Sequence, residues 1–206
     1  MLEIYGRASS SNVQKVLWLC EELGLPYRTA HDVPPGKAGT DDYKRVNPTG
    51  KIPTLIEPDG FTLWESNAIL RYLGAKHAAG NLWPNDLRLR ADVDRWMDWQ
   101  NCAVAPVATI VLYQTLRAKP EEKNPTALAA ACQASRDAAG LLDAQLKGKA
   151  YIVGDAFTLA DIALGQWVWR YVNLVEQRPD QPHLMAWYAR LQDRAAYKKI
   201  VMTKLV

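Results

Sequence analysis

Apolar positions recur with two different periods along this chain, and the change from one to the other divides it in two. In the first part short stretches of both kinds alternate. Leu2 to Tyr5 suits a strand, and Val13, Val16, Leu17, Cys20 and Leu23 then repeat at helical spacing. Gly24, with Pro26 just beyond it, marks the helix stop. Tyr27 to His31 predicts a second strand, Pro34 to Gly39 a loop rich in Pro and Gly, and Asp41 to Val46 a short helix. After the turn cluster Asn47-Pro48-Thr49-Gly50, a third strand is predicted over Ile52 to Ile56, interrupted by Pro53. Asp59-Gly60 is a hairpin signal leading to a strand over Phe61 to Trp64, and a helix is predicted from Ser66 to Lys76. The order βαβ then ββα is that of an α/β domain with a four-stranded mixed sheet.

Beyond Trp83-Pro84 the strand pattern stops. A helical pattern spans Leu87 to Arg117, with Pro106 expected to kink it. Lys119-Pro120 and Asn124-Pro125 are breaks, and Thr126 to Leu146 is again helical. Thr158 to Val175 is apolar nearly all round, as for a helix at the centre of a domain, and His183 to Arg194 completes the series. The expected organisation is an α/β unit over residues 1–78, a linker over 79–86 and an all-helical bundle over 87–206.

Composition narrows the classes of function. Of 206 residues, 49% are apolar and 23% charged, ordinary for a soluble globular protein. The formal net charge is +3 and the Lys and Arg residues are dispersed, so no nucleic-acid footprint is present. No apolar run approaches a membrane helix and the N-terminus lacks a secretory pattern, so a cytoplasmic protein is expected. Cys20, Cys102 and Cys132 match neither a redox pair nor a metal knuckle, and each is expected to be a small buried hydrophobe. No metal is implied.

Three short segments carry candidate chemistry. Ser9-Ser10-Ser11-Asn12 lies between the first strand and the first helix. Ser and Asn are favoured N-caps, yet the same helix end presents free N–H groups and a positive dipole end that suit an anion. A serine hydroxyl donating to a thiolate, at roughly 1.5–3 kcal/mol, would lower a thiol pKa by about one to two units. None of His31, His77 and His183 has a setting that would make such a serine a nucleophile. Pro53, within Gly50-Lys51-Ile52-Pro53-Thr54-Leu55, falls where a central strand should begin; most X–Pro bonds are trans, and the sequence leaves the isomer open. Ser66, within Trp64-Glu65-Ser66-Asn67, reads either as an N-cap or, with Glu65, as a receptor for an amino acid: hydroxyl and N–H groups for the carboxylate, Glu65 for the ammonium.

In series, these segments resemble the soluble glutathione transferase family. The matching stretches are Ser10 to Val16, Asn47 to Leu55 and Glu65 to Leu73, and the resemblance spans the whole chain. It implies a thioredoxin-like N-terminal domain, an all-helical C-terminal domain, and glutathione as co-substrate. It also implies that Pro53 is cis and presents the Ile52 backbone to the cysteinyl part of glutathione. Glu65 and Ser66 would then hold the γ-glutamyl end, and Lys51, with Lys37 from the preceding loop, would meet the glycyl carboxylate. Ser10-x-Asn12-x-x-Lys15-Val16 is closer to the serine and threonine classes (theta-like, and the bacterial class that reduces disulfides) than to a tyrosine class built on Tyr5. Ser10 would face the thiol with Asn12 beside it, Ser11 and Ser9 being alternatives by one residue. Trp96, Gln100, Thr109 and Tyr113 are candidates for the second-substrate pocket, where a small hydrophobic electrophile would bind. Thr158 and Asp161 resemble the family's buried capping motif, a structural rather than catalytic pair. A homodimer is implied, through Asn67–Leu73 and Arg88–Gln100, with Arg71, Arg88 and Arg95 as polar contacts. Conjugation, glutathione-dependent reduction of disulfides or peroxides, and a non-catalytic interaction domain remain the competing functions.

Overall fold

A computed structural model describes residues 1–30 and 40–206. Strands β1 (Leu2–Tyr5), β2 (Tyr27–Ala30), β3 (Thr54–Ile56) and β4 (Thr62–Trp64) form one mixed sheet in the order β2-β1-β3-β4. β1 runs parallel to β2, as the intervening helix α1 (Ser11–Leu23) requires, and antiparallel to β3. β3 and β4 form the hairpin around Asp59-Gly60, where Gly60 has φ 89° and Asp59 Oδ1 accepts from the Phe61 N–H at 3.0 Å. Helices α2 (Asp41–Val46) and α3 (Ser66–His77) complete this half.

The remaining elements are helical: α4 (Leu87–Trp99), α5 (Ala105–Leu112), α6 (Pro125–Leu146), α7 (Leu159–Leu174), α8 (Pro182–Gln192) and α9 (Ala195–Ile200). A mixed four-stranded domain followed by a helical domain is the predicted fold class. No helix among the described residues is long and apolar enough to cross a membrane.

α7 is the spine of the helical half. Its residues from Leu159 to Val168 are all buried. Gly165 lets it approach α1: a Cβ there would lie 2.7 Å from the Trp18 ring, so even alanine would force the helices apart. Trp18 in turn packs edge-on against Tyr197 of α9, centroids 4.8 Å apart, and the Tyr197 hydroxyl donates to the Gly165 carbonyl at 2.8 Å. The two halves therefore share one continuous core. The side of α1 that meets α7 fixes where α1 begins and what its first turn faces.

Several predicted boundaries shift. The third strand starts at Thr54 rather than Ile52, after a cis Ile52–Pro53 bond. The fourth starts at Thr62. The predicted second strand extends to His31, which lies outside the described residues. The run from Leu87 to Arg117 is continuous but contains two wide π turns, Gln100–Val104 and Tyr113–Arg117. Pro106 stands two residues after the end of the first. A proline ring clashes with the carbonyl four residues back, and the wider turn supplies the room. α9 was not predicted, because six residues hold less than two turns of pattern. Of the cysteines only Cys20 is fully buried; Cys102 is exposed on the first π turn, which points it away from the core.

Candidate active site

The N-terminus of α1 is built to remain open. Ser10 is the N-cap residue, with extended backbone (φ −74°, ψ 127°), but its side chain makes no cap hydrogen bond. No acidic residue occupies the first turn. The first N–H groups of a helix have no acceptor within it, so they and the positive dipole end are left to whatever faces them. Ser11 and Asn12 face a narrow cleft of ≈ 50 Å³, closed on the other side by the first π turn, α5 and α7. Gln100 and Thr109 line it too, together with Gln166, Trp167 and Arg170.

The second component is the junction of β4 and α3. Glu65 is exposed and holds φ 70°, ψ 112°, a region that L-residues avoid. Strain of this kind costs about 1–3 kcal/mol and persists where the surroundings impose it, most often at a site of function. Ser66 is buried; its hydroxyl donates to Asn12 Oδ1 at 3.4 Å. The start of α1 and the start of α3 are thus joined through one hydrogen bond. Lys51 is exposed, while its carbonyl accepts from the Tyr43 hydroxyl (2.8 Å) and from Asn47 Nδ2 (2.7 Å). These bonds fix the turn that leads into Ile52 and Pro53. Lys37 lies outside the described residues.

Lys15 is the residue that sequence reasoning used only as a landmark. It is fully buried, and its ammonium donates to Gln100 Oε1 (2.6 Å), Asn67 Oδ1 (3.2 Å) and Ser66 Oγ (3.4 Å). It therefore ties α1 to α3 and to the π turn in the other domain. Burial lowers its pKa to about 7, against the opposing pull of Glu65. The available signal was a charged residue flanked by the apolar positions of α1. Arg170 carries the same signal within α7, and it too is buried.

The structure separates the four candidates for the second-substrate pocket. Gln100 and Thr109 line the cleft. Trp96 lies instead beside Arg95, Trp99 and Leu141, along a shallow apolar depression of ≈ 270 Å³ on the outer surface. The Tyr113 ring is exposed, with its hydroxyl donating to Glu122 Oε2 at 2.9 Å. Tyr5 sits at the end of β1 with its ring 6.3 Å from that of Tyr43. Thr158 and Asp161 form the expected capping box at the start of α7. Of the predicted interface arginines, Arg71 pairs with Asp94 and Asp98 (both 2.5 Å) and Arg95 with Asp92, all within the chain.

Known proteins share this fold. Residues 9–76 match the family model of the glutathione S-transferase N-terminal domain, and residues 104–195 that of the C-terminal domain. The chain is 34% identical to glutathione S-transferase GstB of Escherichia coli (strain K12), over 98% of each sequence. It is similar to the theta class glutathione S-transferase of Xanthomonas axonopodis pv. citri, solved with glutathione bound: 40% identity, TM-score 0.93, covering 100% of this chain and 99% of that one. A glutathione transferase of Burkholderia graminis, solved with two glutathione molecules per subunit, is 29% identical with a TM-score of 0.86, covering 98% and 88% of the two chains. With both domains matched in order and full-length identity at this level, the chain belongs to the glutathione S-transferase family.

Proposed function

We propose that this chain binds glutathione across the starts of α1 and α3, ionises its thiol, and transfers it to an electrophile lodged in the cleft beside Ser11 and Asn12. The observation that carries the reading is the uncapped start of α1. Ser10 holds the N-cap position yet leaves its hydroxyl free of the helix, and no acid neutralises the dipole end. Such a helix end favours an anion, and a thiolate is the anion the reaction needs. In this reading Ser10 donates to the sulfur, with Asn12 adjoining. Glu65 receives the γ-glutamyl ammonium, while Ser66 and the first N–H groups of α3 receive its carboxylate. The Ile52 backbone pairs with the cysteinyl unit, and Lys51, with Lys37, meets the glycyl end. Lys15 supplies positive charge beneath Ser66. The glutathione bound in the Xanthomonas protein supports glutathione as the ligand. We place the glutathione-binding unit at residues 1–78 and the helical unit at 87–206.

Reduction of disulfides or peroxides is the second reading, favoured by the Burkholderia relative with its two glutathione molecules per subunit. A chlorodinitrobenzene conjugation assay run beside hydroxyethyl-disulfide reduction separates the two. Conjugation well above the uncatalysed rate supports the transferase reading; reduction without conjugation replaces it. We also propose a cytoplasmic homodimer joined through α3 and α4. The apolar depression flanked by Trp96, Trp99 and Leu141 suits such a contact. Light scattering should give twice 23.1 kDa, and the monomer mass at micromolar concentration contradicts it.

A further inference from the structure

The cleft holds a positive charge that its surroundings do not balance. Arg170 is 5% exposed. Its terminal nitrogens donate to the Gln166 carbonyl (2.8 Å) and Oε1 (3.3 Å), to Gln14 Oε1 (2.8 Å) and to the Ser9 carbonyl (3.4 Å). Every one of these acceptors is neutral, and Nε has no partner at all. No carboxylate among the described residues pairs with it. By contrast, Arg194, the other arginine packed against α1, meets both oxygens of Glu22.

A buried ion is tolerated when an opposite charge accompanies it, and buried arginines are normally paired. Arg170 lines the cleft on one side and, on the other, a smaller cavity of ≈ 10 Å³ where the Ser135 hydroxyl is also without a partner. The cleft itself has room for a group of only a few atoms. Burial lowers the guanidinium pKa to about 10, with Tyr197 opposing the shift and Arg117 adding to it. An apolar electrophile would cover the guanidinium without replacing the water it displaces. An anionic one would supply the missing partner, and the guanidinium would in turn offset the repulsion between that charge and an attacking thiolate.

We propose that the preferred electrophile carries a carboxylate or an oxyanion of similar size, and that Arg170 is the residue that selects it. The inference rests on the transferase reading and narrows its substrate class. An aryl chloride reacts by displacement. The thiolate sulfur forms the new C–S bond, the C–Cl bond breaks, chloride leaves with the bonding pair, and the thiol proton has already passed to solvent.

The test uses two electrophiles of similar size, one charged and one neutral, 4-chloro-3-nitrobenzoate and 4-chloro-3-nitrobenzamide, at fixed glutathione. The ratio of their kcat/KM values, each divided by its uncatalysed rate, should favour the benzoate in the native protein. Arg170→Met should lower that ratio about 10- to 150-fold, and Arg170→Lys should retain most of it. A ratio that Arg170→Met leaves unaltered, including one in which both rates fall together, overturns the proposal. Binding of the unreactive pair 3-nitrobenzoate and 3-nitrobenzamide, followed by calorimetry, gives the same comparison without turnover. If neither chloride reacts, the transferase reading fails, and the binding pair still decides whether Arg170 prefers an anion. Arg170→Lys, measured alongside, keeps the result readable if the methionine variant is poorly folded.

Discussion

Two helices of this protein begin with the same hydroxyl chemistry, and their first turns are completed in opposite ways. At α7, Thr158 is the N-cap and Asp161 closes the end from within. One oxygen of that carboxylate accepts from the Thr158 N–H (2.8 Å) and hydroxyl (3.1 Å), the other from the Ile152 N–H (3.1 Å) and Trp187 Nε1 (2.8 Å). Burial pushes the Asp161 pKa up to about 6 while all four donors oppose it. At α1, Ser10 stands in the same position, but no acid follows it and its hydroxyl does not cap. What α7 has and α1 lacks is a carboxylate that accepts from the N-cap residue. The difference locates structure and function on two copies of one motif: the closed end organises the core, and the open end is available to a ligand.

The comparison can be broken from the closed side first, where the effect should be largest. Asp161→Ala strands four buried donors, each an unsatisfied polar group, and should destabilise the protein by about 3 kcal/mol or more. At about 2–4 °C per kcal/mol for a chain of this length, the melting temperature should fall by about 6–12 °C or more. Below the transition, glutathione affinity should stay near the native value. A melting temperature within a degree or two of native would mean that the buried carboxylate organises nothing.

Glu65 comes next, on the open side. Glu65→Ala removes the partner of the ligand ammonium and should weaken glutathione binding about 10- to 150-fold by calorimetry. Glu65→Gly should lose the same affinity yet melt above the alanine variant, because glycine accepts φ 70° without penalty. If alanine and glycine melt alike, the backbone at this position is not strained in solution. Unchanged affinity in both would remove Glu65 from the site.

An effect that is smaller per pH unit distinguishes Lys15. Its folded pKa of about 7 lies below the ordinary lysine value of 10.5, so the unfolded chain binds more protons between those two values. The stability contributed by this depression is fully present above about pH 10.5 and is lost as pH falls through about 7. Denaturant titrations of native protein and Lys15→Met across pH 7–10 should therefore converge or cross as pH rises, with a relative slope up to about 1.4 kcal/mol per pH unit. Parallel curves would show that Lys15 titrates normally.

The two helix starts were unequally legible. Thr158-x-x-Asp161 is a local pattern, three residues apart, and its geometry follows from the helix alone. The strand–helix order, the hairpin and the central apolar helix α7 follow equally from short-range periodicity. The environment of α1 does not. Lys15 meets Ser66, Asn67 and Gln100 across 51, 52 and 85 positions, and Arg170 meets Gln14 across 156. No local spacing encodes such contacts; the only trace is a charge set among the apolar positions of each helix. The sorting of Thr109 into the cleft, and of Tyr113 away from it, depends in the same way on the helical phase after the π turn at Gln100–Val104. A five-residue widening rotates everything beyond it; Pro106 marked an irregularity there but not its form.

The open start of α1 is tested most directly by the pKa of glutathione bound to the protein, followed by thiolate absorbance in the ultraviolet against pH. Native protein should hold the thiol well below the free cysteine value of about 8.5, and Ser10→Ala should raise it by about one to two units, with affinity at low pH little altered. Ser11→Ala controls the register: a shift there and none in Ser10→Ala moves the thiolate contact by one residue. A bound thiol with the free-cysteine pKa in the native protein, or one that neither substitution moves, would contradict the assignment of this helix end to a serine-stabilised thiolate.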